Sequence, residues 1–304
     1  MGSADRIHLV GSTSIALGYD RDIHALAGAI QVSEFDQATA VTERTPADAV
    51  IDAVIDAVFD ATVHEGWDIG GPANGGYLLA LATRAMATAA HRPPLTVTAH
   101  YLAPVTPGPI EIVVRAVRSG RRMATLSATM IRDQTAVLEV LGTFAEQRDD
   151  AVVLCDATPP DLVPYDRCEV PVIRDDAAIP ALQRRLAVRL RAGDEGFAFG
   201  RPTGRAEIAG WFAFADGSAI DAIGLMLVAD AFAPPIFNSG LAMGWVPTVE
   251  LTVHVRAEPE PGPLACVFGS RFIQGGLLEE DGEIWDTAGR LVAQSRQLAL
   301  IPRA

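Results

Sequence analysis

The 304-residue chain is 49% hydrophobic with a formal charge of −14. That balance supports a packed core and argues against nonspecific nucleic-acid binding, which needs a basic footprint. It contains no lysine, so all 24 basic residues are arginine and neither a P-loop nor a pyridoxal Schiff base can be built.

Residues 1–32 are weakly patterned and read as an extension, and their opening "MGSADRIHLV" has no signal-peptide apolar region. "FDQATAV" alternates as a strand does. In "DAVIDAVIDAVFDA", Asp48 to Ala61, aspartates recur every four residues as on a helix, yet the β-branched residues favour strand, and the two signals conflict. "WDIGGPANGGYLLALATRAM" then crowds Gly66, Gly70, Gly71, Gly75 and Gly76 ahead of an apolar run. Such glycines either let backbone N–H groups approach a ligand at a helix N-terminus or make a tight turn. The run from Gly75 to about Ala90 is apolar nearly all round, which predicts a buried helix, and Pro93–Pro94 stop it.

Alternating stretches follow: "LTVTAHYL", "IEIVVRAV", "MATLSATMIRD" and "AVLEVLGTFA" predict consecutive antiparallel strands. Residues 148–183, rich in Pro, Asp and Arg, read as a linker over the surface. "RLAVRLRA" and "EIAGWFAFADG" read as strands, and a second buried helix is expected from about Ser218 to Phe232. Strands resume in "TVELTVHVRAEPEPGPLACVFGSRF", and the last hairpin turns at Ala288–Gly289.

The two halves match. "TAHYLAPVTPGP", Thr98 to Pro109, lies over "TVHVRAEPEPGP", Thr252 to Pro263, a superposition that sets Thr248 over Pro94 and Gln297 over Thr143. A buried helix wrapped by an antiparallel sheet is the hotdog unit, so the expectation is an α+β double hotdog. Its parts would be the extension 1–32, an N-terminal hotdog 33–147, the linker 148–183 and a C-terminal hotdog 184–304.

From about Phe35 to the C-terminus the sequence resembles the acyl-CoA thioesterase II family. The likeness rests on the Gly-Gly start of the first helix and "RSGRRMATLSATM", then on "LVADAF", "VPTVEL" and "LVAQSRQLAL". It implies a catalytic Asp230, with Thr248 and Gln297 beside it. A histidine that often follows the threonine is replaced by Leu251, the acid there is Glu250, and the next strand reads "HVRAEP". The resemblance further implies an acyl-CoA substrate and a homodimer.

The chemistry agrees with those residues. A thioester is activated, so hydrolysis needs an aimed water and help for the oxyanion. A carboxylate can take the water's proton, and Thr and Gln can hold it. The loop Pro72 to Gly76, with Asn74, Gly75 and Gly76, is expected to direct N–H groups at the thioester carbonyl. Arg121 and Arg122 either meet coenzyme A phosphates or form a solvated turn. The first helix has no carboxylate, so one active site per chain is expected, built from both halves. The rival from another class is a non-catalytic acyl-CoA-binding module. A hotdog hydratase would want a DxNPxH-like loop, which is absent.

No metal or other cofactor is expected. Cys155, Cys168 and Cys266 form no CxxC, the six histidines form no HExxH, and no GxSxG occurs. No segment reads as a transmembrane helix, so the expectation is a cytoplasmic protein bound to neither nucleic acid nor membrane.

Overall fold

The computed structural model describes residues 32–44, 56–147, 154–168 and 180–302, and the folded unit spans Ser33–Ala304. The extension 1–31, residues 48–55 of the aspartate repeat, and 148–153 and 169–179 of the linker lie outside the described residues.

Two short segments differ from expectation, and a third that was open between helix and strand is decided in its described part. "FDQATAV" divides into a helix α1 (Glu34–Ala38) and the start of a strand β1 (Val41–Arg44). The Ser33 side chain caps α1 by accepting from the Asp36 N–H, and Glu34 and Asp36 suit a helix's first turn. The described end of the aspartate repeat is strand, β2 (Asp56–Val63). "RLAVRLRA" follows a 3-10 turn (Ala181–Arg185) and is mostly irregular chain, with an isolated bridge from Leu186 to Phe214 and only β7 (Arg189–Leu190) as strand.

The long first helix is as predicted. Here α2 (Gly75–Ala90) is capped by Asn74, whose side chain accepts from the Tyr77 N–H at 2.9 Å. It ends at His91, in the left-handed conformation with φ 51°, just before the two prolines. Tyr77 to Ala82 are all buried, and the Tyr77 hydroxyl satisfies itself on the Ala38 carbonyl at 2.8 Å. The second helix is shorter than Ser218–Phe232: α3 covers Gly224–Val228. Asp221 turns the chain in by accepting from the Gly224 N–H at 2.7 Å, and beyond Val228 the bonds tighten to Asp230 N–H on Leu227 O.

The remaining strands are β3 (Pro94–Tyr101), β4 (Gly108–Ser119), β5 (Ala124–Arg132), β6 (Thr135–Phe144), β8 (Glu207–Phe212), β9 (Thr248–Val255), β10 (Leu264–Gly269), β11 (Ile273–Gln274), β12 (Leu277–Trp285) and β13 (Leu291–Leu300). Among the described residues they make one antiparallel sheet in the order β1-β2-β4-β5-β6-β3-β9-β13-β12-β10-β8-β7, with β11 on β12. The order in the first half, read outward from β3, repeats in the second half read outward from β9. Both helices lie against the inner face in one apolar core, with Leu79, Met86, Leu225 and Leu227 fully buried. This is the double hotdog.

The halves meet where β3 pairs with β9, and there Thr98 lies opposite Thr252 with their hydroxyls 2.9 Å apart. These two residues are superposed by the sequence repeat, so each faces its own counterpart across a local two-fold axis. Registers measured outward from that axis correct one equivalence. Val97 pairs with Gly142, and its counterpart Leu251 pairs with Gln297. Gln297 therefore answers to Gly142, not Thr143. The slip arises in the final hairpins. The β5–β6 turn is tight, with Asp133 and Gln134 both at positive φ, whereas the β12–β13 turn is longer and is tied by Asp286.

Candidate active site

The first turn of α2 meets the end of α3 at van der Waals limits, which is why two glycines stand there. A Cβ on Gly76 would lie 2.6 Å from the Met226 carbonyl and 2.8 Å from Asp230 Cβ. A Cβ on Gly75 would lie 3.0 Å from Asp230 Oδ2 and 3.1 Å from the Tyr101 ring. The close approach brings Asp230 onto the N-terminus of α2. Its Oδ2 accepts from the Gly76 N–H at 2.9 Å and from Asn74 Nδ2 at 2.9 Å. Asn74 Nδ2 also donates to the Asp230 carbonyl at 2.8 Å. Because the Asn74 oxygen caps α2, its amide can only face Asp230 as a donor.

The Gly75 N–H and the Gln297 side chain also lie near enough to favour the ionised form of Asp230. Burial pushes its carboxyl up to about 6, while all these donors pull the other way. The group is an ionised but poorly solvated carboxylate at neutral pH, the state a general base requires.

Gln297 reaches this point from β13, and its Nε2 donates to Thr248 Oγ1 at 2.5 Å. A register shift between Leu298 and Ala299 sets Thr248 opposite Ala299, on the inner face shared with Gln297. Thus Asp230, Thr248, Gln297, Asn74, Gly75 and Gly76 converge, drawn from both halves of the chain.

One expectation changes. The Gly76 N–H is bonded to Asp230 rather than directed at an open position for a thioester oxygen. Arg121 and Arg122, read as either coenzyme A phosphate contacts or a solvated turn, lie away from Asp230. They are exposed in the β4–β5 turn, held by Arg92, whose guanidinium donates to the Gly120 carbonyl at 3.0 Å and the Arg121 carbonyl at 3.2 Å. Arg92 follows the C-terminal end of α2, about 24 Å along its axis from Gly75 at ~1.5 Å per residue.

Two residues at the site escape a reading of motifs. Tyr101, at the end of β3, donates its hydroxyl to the Gly75 carbonyl at 2.8 Å. Burial, then the charges of Asp230 and Glu250, push its phenol well above the usual range. Glu280 on β12 lies directly opposite Gln297 and faces the same side. Burial and then the negative charge of Asp230 hold its carboxyl well above the usual range. The alternation Leu278, Glu280, Gly282 was the available signal for its inward face.

Among the described residues, no group of three or more His, Cys, Asp or Glu side chains could hold a metal ion.

Comparison with known proteins agrees with this picture. Residues 63–145 match the family profile described as acyl-CoA thioesterase N-terminal domain, and residues 150–301 match the acyl-CoA thioesterase C-terminal domain. A crystal structure of a Thermobifida fusca protein described as a thioesterase II superposes with TM-score 0.78 at 29% identity, covering 90% of this chain and 99% of that one. A hot dog fold protein of unknown function from Alicyclobacillus acidocaldarius superposes with TM-score 0.72 at 25% identity, covering 89% and 98%. An uncharacterised Mycobacterium tuberculosis protein is 28% identical over 265 residues, which is 79% of this chain and 89% of its own length.

Proposed function

Because this chain belongs to the acyl-CoA thioesterase family of the hotdog superfamily and is a thioester hydrolase, we propose that it hydrolyses acyl-CoA with a water held by Asp230, Thr248 and Gln297. The water donates one hydrogen to the Asp230 carboxylate and the other to the Gln297 carbonyl oxygen. It accepts from the Thr248 hydroxyl, and its remaining lone pair faces the thioester carbon. Thr248 can serve in this way because its own oxygen already accepts from Gln297 Nε2, which fixes both side chains.

As the water attacks, Asp230 takes its proton and the carbonyl electrons move onto oxygen. Collapse of the tetrahedral intermediate breaks the carbon–sulfur bond, and coenzyme A leaves as the thiolate. The proton on Asp230 passes to the thiolate or to solvent. Asn74, Gly75 and Gly76 are positioning residues in this scheme, because their donors hold the base in place.

The observation that carries the reading is the hydrogen bond of the Gly76 N–H to Asp230 together with that of Gln297 to Thr248, with Gln297 near enough to Asp230 to favour its ionised form. No helix among the described residues is long and apolar enough to cross a membrane. A cytoplasmic homodimer is the assembly and setting that accompany this reading, and light scattering at micromolar concentration tests the dimer. The catalytic test is free-thiol release across a panel of acyl-CoAs from short to long chain. Release is expected without added metal or cofactor. A folded protein that binds acyl-CoA and releases no thiol from any of them overturns the proposal in favour of a binding module.

A further inference from the structure

The attack of water leaves negative charge on the former carbonyl oxygen, and that oxygen needs a hydrogen-bond donor. An inventory of donors around Asp230 is short. The Gly76 N–H and both hydrogens of Asn74 Nδ2 are directed at Asp230. The Gly75 N–H lies close enough to favour the ionised form of Asp230, and Gln297 Nε2 is bound to Thr248. The Tyr101 hydroxyl is bound to the Gly75 carbonyl. The Thr248 hydroxyl hydrogen belongs to the water in the reading above. Among the described residues, two polar side chains on this face of β12 and β13 remain uncommitted, Ser295 and Glu280, and of these Glu280 lies directly opposite Gln297 in the ladder.

The charged groups around Glu280 are negative where they act on it. Asp230 faces it from the end of α3, and Glu279 and Asp281 flank it on β12. The nearby cations, Arg271 and Arg296, are engaged by Asp281, with Arg296 Nη2 at 2.6 Å and Arg271 Nη2 at 2.9 Å from Oδ2. Glu279 accepts from the backbone N–H groups of Arg271 and Phe272. On β13 the facing residue is the neutral Gln297, and β11 pairs further along, at Leu277 and Leu278. Nothing in this setting stabilises an ionised Glu280.

A second, independent observation comes from the local two-fold axis. Gln297 answers to Gly142, and Gly142 pairs with Leu126 as Gln297 pairs with Glu280. The counterpart of Glu280 is therefore a buried leucine, at the end of the molecule that carries no base.

Resting on the thioesterase reading, we propose that Glu280 acts as a neutral carboxylic acid that donates a hydrogen bond to the thioester carbonyl oxygen. No proton changes hands at Glu280. The O–H hydrogen bond strengthens as charge develops and relaxes when the carbon–sulfur bond breaks. One carboxyl of the pair, Asp230, works ionised and the other works protonated, and the contrast in solvation and neighbours separates their tasks.

Three steady-state measurements and one spectrum test this. Glu280→Ala, checked for folding by its melting temperature, is expected to lower kcat by ~10²–10³-fold with KM little changed, the scale of losing one oxyanion donor. Glu280→Gln keeps an N–H donor and is expected to retain kcat within about tenfold, by the same measure. Infrared difference spectra at neutral pH should show a protonated-carboxyl band in the native protein that is lost in Glu280→Gln. Native kcat in Glu280→Ala, or a Gln variant as impaired as Ala, or no such band, overturns the role of Glu280. An Asp230→Asn protein that is inactive alongside an active Glu280→Ala protein overturns this inference alone. Full activity in Asp230→Asn instead overturns the underlying reading.

Discussion

The two ends of the paired helices began as equivalents and now differ at every position that matters. At one end Asp230 stands nine residues after the capping Asp221, and at the other Thr83 stands nine residues after the capping Asn74. The Thr83 hydroxyl is buried without a hydrogen-bond partner, where Asp230 collects at least two. Thr248 answers to Pro94, Gln297 to Gly142, Glu280 to Leu126, and Gly76 to Ile223 by the same cap count. An open surface depression of about 530 Å³ lies at the second end, bordered by Arg84, His91, Pro94, Asp221 and Glu258. What distinguishes a working end is a carboxylate that the opposite helix is shaped to receive, and that shape depends on the absence of a side chain at Gly76.

The largest effect that can sharpen this contrast is at the base itself. Asp230→Asn should lower kcat by ~10²–10⁴-fold, the usual worth of a positioned general base. Its melting temperature should not fall, because the amide oxygen can still accept from the Gly76 N–H and a poorly solvated charge is gone. A substantially active Asn variant would break the comparison.

Next comes the glycine. Gly76→Val places carbon within the Met226 carbonyl and Asp230 Cβ. Turnover should fall by about 10²-fold through displacement of the base, with a stability loss of ~1–3 kcal/mol from overpacking. Ile223→Val, at the matching place on the inert end, should leave kcat unchanged. Equal kinetic losses at both positions would mean that the ends are not functionally distinct.

The pH dependence is a smaller effect and belongs to the working end alone. With Asp230 held at about 6, the base is protonated and idle below that value and ionised above it. The kcat/KM profile should therefore rise with pH through an apparent value near 6. A rise centred near 4, the ordinary carboxylate range, would show that burial does not set the base.

The smallest effect is at the inert end. Thr83→Val replaces an unsatisfied buried hydroxyl with a methyl of similar shape and should raise stability by ~1 kcal/mol without changing kcat. A chain of this size should then melt about 2–4 °C higher. Loss of turnover in this variant would give Thr83 a task that its surroundings do not suggest.

Much of this was legible in the sequence, for reasons that differ by element. The bounds of α2 were readable because the glycine entry, the apolar run and Pro93–Pro94 are local signals. The correspondence of Thr98 with Thr252 was legible in the repeated PGP motifs, while their meeting across β3 and β9 is a fact of tertiary structure. Asp230, Thr248 and Gln297 were named through family resemblance, and the hydrogen bond between Gln297 and Thr248 is a fact of tertiary structure. The shortness of α3 was hidden because its apolar run continues into the tight turns that carry Asp230. The one-residue slip at Gln297 was hidden because two hairpin turns of unequal length look alike as strings. Glu280 and Tyr101 carry no motif, and they matter only through strands that fold in from elsewhere. The glycines were singled out as a place of close approach to a ligand, whereas what Gly76 makes room for is Asp230, a residue 154 positions away.

The central claim is that the two ends have diverged to leave one catalytic centre per chain. Active-site titration with a tight, non-hydrolysable acyl-CoA analogue tests it most directly, with residual turnover followed as the analogue is added. Turnover should vanish at one equivalent per chain, and a need for two equivalents would contradict the account.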